Sequence, residues 1–526
     1  MIKIIFTLLS FCLIIKNYGQ NLDSLNVLGI SKSTKGDYNR AIDDFNTVIK
    51  LDPKNVKAYL NRGIAFSSIK IYELAIEDFL KVLDLSTDYN EVYVLLENAY
   101  TKLIEFSPKD AEPYYKRGNT RRNTGDYNGA IADFNKSIEI DSSNYIVYFY
   151  RGCAKNEIKD YKSAILDLNK AIEFNSNDPD IYHARGLSNL SIADYKAAIS
   201  DCSQAIELDP KIFDYYTTRG LSKIKLEDYK SALSDFSIAI ELDPKESNSY
   251  YCRALSKLKL FDFLGGISDC TKTIELNPKN ASAYNTRGLA KVFIEDYHGS
   301  ITDYSIAIQL DSNLFNAYFN RGNAKVFLKD YIGAISDFNK SILMNPDDAL
   351  SYYNRGLAKV YLKNYAGAMD DCNQAIKLKS DYADAYLNRG YIKSNLKDNK
   401  GSITDFNIAI ELGSTKAYYK RGIKKYELKD YSGSIIDFTK YIELNPKLED
   451  VYVYRGNAKN YLKDYKGAIS DYNEAIDLNK KNIEAYYNRG IAKFKIKDNN
   501  GACLDMNKAL ELGENRANNF IKKNCK

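Results

Sequence analysis

The dipeptide Arg-Gly returns every 34 residues, at Arg117, Arg151, Arg185 and Arg219, again at Arg287, Arg321, Arg355 and Arg389, and at Arg455 and Arg489. A fixed period of this length constrains the chain more than any local motif. It describes two short helices per repeat, each pair stacking on the next because neither can bury its apolar face alone. A chain of 526 residues would otherwise be divided into three or four globular domains. The period predicts instead an all-α, right-handed α-solenoid of about fourteen 34-residue helix-turn-helix repeats plus one truncated repeat.

The stretch Ala349 to Tyr382 shows the register. With Ala349 as the first position, Tyr352 is fourth, Arg355 seventh, Gly356 eighth, Lys359 eleventh, Tyr365 seventeenth, Ala368 twentieth, Asp371 twenty-third and Cys372 twenty-fourth. This pattern resembles the tetratricopeptide repeat family. That family has an aromatic at the fourth and seventeenth positions, glycine at the eighth, alanine at the twentieth and a large apolar residue at the twenty-fourth. The resemblance runs from Leu22 to about Gly513. The family's usual fourth-position Trp is replaced by Tyr, and the chain contains no Trp. Glycine at the eighth position and alanine at the twentieth let the two helices of a pair lie close. Asp before Tyr, as at Asp126, Asp160, Asp194 and Asp330, is a favoured N-cap for the second helix.

Fourteen full repeats align, organised as residues 22–89 (repeats 1 and 2), 90–110 (a truncated repeat) and 111–513 (repeats 4 to 15), followed by a cap helix over 514–526. Arg62 and Arg117 are 55 residues apart, so thirteen residues are missing between them. The Tyr93 to Phe106 stretch reads as a lone or extended helix without a second-helix sequence.

Three positions depart from the family together. The seventh, eleventh and twenty-third are predominantly Arg, Lys and Asp, with Leu28, Phe66 and Asn189 among the exceptions. The seventh and eleventh share one face of the first helix, and a carboxylate on the second helix can take Arg in a two-point contact. We expect an ion-pair ladder, Arg355 with Asp371 for example, that fixes helix register; the alternative is a charged binding stripe.

The first twenty residues differ in kind. Lys3, the apolar run Ile4 to Ile15 and the polar exit ending at Gly19 and Gln20 match a cleaved signal peptide over 1–20. The apolar stretch is short for a membrane span, although an uncleaved anchor is the competing reading. Phe11 before Cys12 argues against a lipoprotein cleavage site. The expected location is therefore the bacterial periplasm or the exterior. Of eight cysteines, Cys202, Cys270 and Cys372 occupy the twenty-fourth position and read as small core residues. No disulfide stapling is expected.

Lys+Arg of 74 against Asp+Glu of 69 gives a net charge of +5 with no basic run, which disfavours nucleic acid. Two histidines, His183 and His298, stand in separate repeats and offer neither a metal spacing nor a nucleophile–base pair. No catalytic residue, cofactor or metal site is expected, and no enzyme. The resemblance implies a concave groove lined by first helices. Leu289, Phe293, Phe319, Phe327, Tyr353 and Tyr361 supply apolar and aromatic candidates for it, beside Val292, Val326, Leu357 and Val360; the alternative is that several of them contact the next repeat's helix and complete the core. Asn320, Asn354 and Asn388 recur at the sixth position, as in asparagine ladders that hold a peptide backbone. The family's carboxylate clamp needs lysine at the fifth position and asparagine at the ninth, and no repeat matches. These features imply a non-catalytic scaffold for a protein or extended peptide. The alternatives are an accessory subunit that positions an envelope enzyme or its substrate, and a self-associating structural envelope protein.

Overall fold

Each first helix ends in a way that forces the chain back on itself. In the repeat starting at Phe315, the helix Phe315–Phe327 closes with Lys329 at φ 62°, Lys329 N–H donating to Val326 O at 2.9 Å and Asp330 N–H to Lys325 O at 2.9 Å. This pair of bonds is a Schellman closure, which satisfies the last carbonyls of the helix. Asp330 then caps the second helix, Tyr331–Met344, accepting from the Gly333 N–H at 2.9 Å. One residue thus ends one helix and starts the next. The same geometry recurs at Asp126, Asp160 and Asp194, as their position before Tyr predicts.

The computed structural model describes residues 22–86 and 88–525. The proposed signal segment 1–20 lies outside the described residues. Thirty α-helices and no strand are found among the described residues. First helices are mostly 13 residues and second helices 14. The chain divides into two compact halves, Met1–Asp262 and Phe263–Lys526. Within each half, every helix packs chiefly on the helix before it and the helix after it, the arrangement of an α-solenoid.

The core is repeated rather than central. Ala334 and Phe338 of one repeat and Ala358 of the next are buried together, with Phe319, Val326, Tyr331 and Ile335 packed against them. Gly322 leaves the space for this: a Cβ there would stand 2.7 Å from Phe338 Cε1. Cys202, Cys270 and Cys372 fill the Phe338 position in their repeats and are buried and unpaired.

The charge ladder is present and reaches further than the sequence suggested. Arg355 Nε and Nη2 donate to the two oxygens of Asp371, the shorter bond at 2.5 Å, and Lys359 Nζ lies 2.7 Å from Asp371 Oδ2. The remaining guanidinium nitrogen, Nη1, donates to Asn339 Oδ1 of the preceding repeat at 2.7 Å. Tyr352 lies 5.3 Å beneath the guanidinium. Each Arg therefore ties its own two helices together and also ties its repeat to the one before. Two of the exceptions keep the chemistry: Lys32 pairs with Asp44 where Leu28 replaces Arg, and Asn189 Nδ2 donates to Asp201 where Lys is absent.

One feature adds to the sequence expectation and another differs from it. The lone helix of the truncated repeat, Glu91–Phe106, holds the second-helix place with respect to the next repeat: Arg117 Nη1 donates to Thr101 Oγ1, sixteen residues earlier, as in the regular repeats. Toward the preceding repeat it packs on the helix Val56–Ser68 as one first helix packs on the next, so a single helix stands in both places. Second, the chain does carry a disulfide. Cys503 pairs with Cys525, because the cap helix Arg516–Asn524 folds back on the last pair and brings position 525 alongside 503. Ala517, Phe520 and Ile521 of that helix pack against Met506 and Ala509, so it covers the array end with an apolar face.

Candidate functional site

Three successive first helices of the second half, Ala281–Phe293, Phe315–Phe327 and Ala349–Tyr361, present their ninth, twelfth and thirteenth positions to one side. The spacings 9, 12 and 13 lie on one helical face. Together they wall a cavity of about 680 Å³. Leu289, Val292, Val326, Leu357, Phe327 and Tyr361 provide its apolar lining. Asn320, Asn323 and Asn354 supply amides, and Lys329 a cation.

The rings at the thirteenth position are fixed by stacking. Phe327 lies on Tyr297 with centroids 4.8 Å apart, and Tyr361 on Tyr331 at 4.7 Å, both nearly parallel. Each ring is nonetheless more than half exposed, Phe327 at 58% and Tyr361 at 55%. The exposed faces are rigid apolar surfaces held in place before any ligand arrives.

Tyr304 is wholly buried, lines the cavity, and its hydroxyl finds no hydrogen-bond partner. A buried hydroxyl left unpaired costs about 1–3 kcal/mol. Burial, reinforced by the Asp303 charge, pushes its ionisation up, so it is a neutral donor. The corresponding Tyr472, also at a twenty-fourth position, donates to Asn457 at 2.7 Å. In the Tyr304 repeat the ninth-position residue is Leu289, which cannot accept.

Of the residues expected to face a ligand, Leu289, Asn320, Phe327, Asn354 and Tyr361 share this cavity. Asn388 and Tyr361 line an adjoining one of about 400 Å³ with Leu387, Tyr391, Lys363 and Lys420. Three lie elsewhere. Phe293 is exposed and stacks on Phe263 at 4.5 Å, outside either cavity. Phe319 and Tyr353, at the fifth position, turn into packing: Phe319 against the Phe338 core and Tyr353 against Tyr382 at 5.0 Å. Burial pushes the Tyr353 hydroxyl up to about 12.

The three sixth-position asparagines are not equivalent. Asn320 Nδ2 donates to Asn285 Oδ1 at 3.2 Å, Asn354 has no side-chain partner among the described residues, and the Asn388 amide nitrogen is buried without one. Tyr304, Asn323 and Lys329 escaped the sequence reading. The signal for Tyr304 was the pairing of a twenty-fourth-position Tyr with a ninth-position Leu.

Among the described residues no group of His, Cys, Asp and Glu could hold a metal, and no helix is long and apolar enough to cross a membrane.

Sequence profiles of the TPR repeat match residues 34–69 and 456–497, and tetratricopeptide repeat profiles match 99–132, 179–212, 315–348 and 349–382. Among curated proteins, the chain is 32% identical over 99 residues to the Lipoprotein NlpI homolog of Haemophilus influenzae, covering 17% of this chain and 32% of that protein. It is 30% identical over 95 residues to Small glutamine-rich tetratricopeptide repeat-containing protein 2 of Saccharomyces cerevisiae, covering 18% and 27%. The matched stretches thus span less than a third of either relative. Among solved structures, YrrB, described as a TPR protein with an unusual peptide-binding site, is 24% identical with a TM-score of 0.32, covering 36% of this chain and 96% of that one. Yeast Tom70 is 18% identical with a TM-score of 0.37, covering 85% and 97%.

Proposed function

The chain belongs to the tetratricopeptide repeat family, and from that premise we propose that it is a non-catalytic scaffold whose second half holds an extended segment of another protein. One observation carries the reading: the cavity joins rigid, half-exposed rings at Phe327 and Tyr361 to a buried Tyr304 hydroxyl that lacks an acceptor. A peptide satisfies both at once, placing an apolar side chain against the rings and a backbone carbonyl on the hydroxyl. Asn354 and Asn323 then serve neighbouring peptide groups. Because the walls are held by stacking and by the charge ladder, little ordering is needed on binding.

We place the array in an exported compartment. The apolar run Ile4 to Ile15 supports this, and so does the Cys503–Cys525 bond, since disulfides persist where the surroundings are oxidising.

The test is a random-peptide selection on the full chain, repeated with Phe327→Ala/Tyr361→Ala. Selected peptides should be apolar at one position and lose about tenfold or more in affinity to the double variant. Tyr304→Phe should weaken the same peptides several-fold. Peptides that bind all forms equally would refute the assignment of this cavity.

A further inference from the structure

The two adjoining cavities of the second half share Leu357 and Tyr361, and the charged groups around them have one sign. Lys329 lines the first cavity and Lys363 and Lys420 the second, while no Asp or Glu lines either. Lys325 and Lys359, in the same repeats as Lys329 and Lys363, are both held by ladder aspartates, Asp337 at 2.7 Å and Asp371 at 2.7 Å. Lys329, Lys363 and Lys420 have no such counter-charge among the described residues; the Lys420 ammonium lies over the Tyr391 and Tyr419 rings, 5.7 Å from each centroid.

Asn388 supplies the independent observation. It lines the second cavity, and its Nδ2 is buried without a hydrogen-bond partner. Buried amides are ordinarily paired, and Asn320 at the same register position donates to Asn285 of the repeat before. The residue at that position in the repeat after Asn388 is Lys420, whose ammonium can only donate. In the first cavity the other unpartnered group, the Tyr304 hydroxyl, is likewise a neutral donor. Both cavities therefore offer unused donors and cations and lack an acceptor. The three lysines are themselves exposed, and exposed ammoniums alone attract weakly. The buried amide changes this, because an anion that reaches it gains a fixed hydrogen bond beside two positive charges.

We propose that the segment bound here is acidic: next to the apolar residue held by Phe327 and Tyr361 it carries a Glu or Asp side chain, taken by Asn388 Nδ2, Lys363 and Lys420. The proposal rests on the peptide reading of the first cavity and names the chemistry of the peptide. A side chain is preferred over a chain-terminal carboxylate because the cations belong to three different repeats, those of Lys329, Lys363 and Lys420. Such a row suits carboxylates spread along a segment, whereas a terminus places one carboxylate at one point.

The experiment selects binders to the full chain from two dodecapeptide libraries with Glu, Gln and Lys equally frequent, one ending in a carboxamide and the other in a free carboxylate. Glu should be enriched beside the apolar position in both. Replacing that Glu by Gln in a selected peptide should weaken binding by about tenfold. Against Lys363→Gln/Lys420→Gln, two changes at exposed positions, the same replacement should cost about twofold or less, since the peptide carboxylate has lost its partners. Asn388→Ala should weaken the Glu peptide several-fold. Equal binding of the Glu and Gln peptides overturns the proposal, as does a preference for Glu that survives undiminished in the double lysine variant. Selection from the free-carboxylate library alone, with no enrichment of Glu, assigns the donors to a chain end and overturns it too. In each of these cases peptides are still bound through Phe327 and Tyr361, and the peptide site stands. Libraries that yield no binder refute the peptide site and this proposal together.

Discussion

The repeated Arg is where a single side chain does most to define this molecule. Asp371 is 2% exposed and its two oxygens are taken by Arg355 and Lys359. Arg355→Leu leaves that carboxylate buried with half its compensation gone, and removing one partner of a buried pair typically costs about 3–5 kcal/mol. Chemical denaturation should show a loss of that order, while peptide affinity at the Tyr304 cavity stays within about twofold. Replacing all three members at once, Arg355→Leu with Lys359→Met and Asp371→Leu, should recover much of the loss, since no charge is then stranded. A second residue-scale prediction concerns His183. Burial pushes its imidazole down to about 4, with the nearby Asp180 opposing, and its Nε2 lies 3.0 Å from Thr218 Oγ1. Asp180 accepts from the Tyr215 hydroxyl at 2.6 Å, and the Tyr215 ring lies 4.9 Å from the imidazole. The folded state holds this ring neutral while the unfolded chain protonates near 6.5. Stability is therefore fully present above that value and falls as pH drops toward 4. Between pH 7.5 and 5 the loss should be at most about 2 kcal/mol, and His183→Gln should flatten it, as denaturation midpoints at the two pH values will show.

At the scale of the element, the helix hairpin works against a conformational cost in repeat after repeat. Lys329, Lys363, Lys397, Lys429, Lys463 and Lys497 all sit at positive φ, between 58° and 70°, where glycine is the favoured residue. Two repeats place Gly36 and Gly125 at this point and avoid the cost. Lys463→Gly, at an exposed site with φ 65°, should stabilise by roughly 0.5–1 kcal/mol. The relief of the left-handed strain exceeds the added freedom of the unfolded chain. Differential scanning calorimetry should register it as a rise in Tm, and a fall would show that the lysine stem contributes packing there. The lone helix Glu91–Phe106 makes the same point by contrast. Its sequence lacks the second-helix pattern, yet the Thr101–Arg117 contact puts it in the second-helix place toward the next repeat. Nothing in the helix itself records its role, because the role is set by the guanidinium of the next repeat.

For the whole molecule, nearest-neighbour packing means that stability is distributed along the chain and that ends matter. The C-terminal end is closed by the helix Arg516–Asn524, held by Phe520 on Phe494 at 5.1 Å, by Arg516 over Tyr487 and by Cys503–Cys525. The bond spans 22 residues, and closing a loop of that size is worth about 3 kcal/mol. Hydrogen exchange with and without reductant should show faster exchange over 499–525 on reduction and little change in repeats further away. Uniform loss of protection would mean that the array unfolds as one cooperative block.

The 34-residue spacing determined that the chain is all helix, where the turns fall, which residues cap them and that Arg, Lys and Asp pair. Those features depend on contacts within one repeat or between adjacent ones, and a period records such contacts directly. The tertiary structure alone decided which apolar residues stay open. Phe319 and Phe327 are both Phe on one helix, yet Phe319 is used by its own core and Phe327 stands half exposed above Tyr297. It also decided that Tyr304 has no partner while Tyr472 has one. Recognition depends on what packing leaves unsatisfied, and that remainder exists only once neighbouring helices have taken their places.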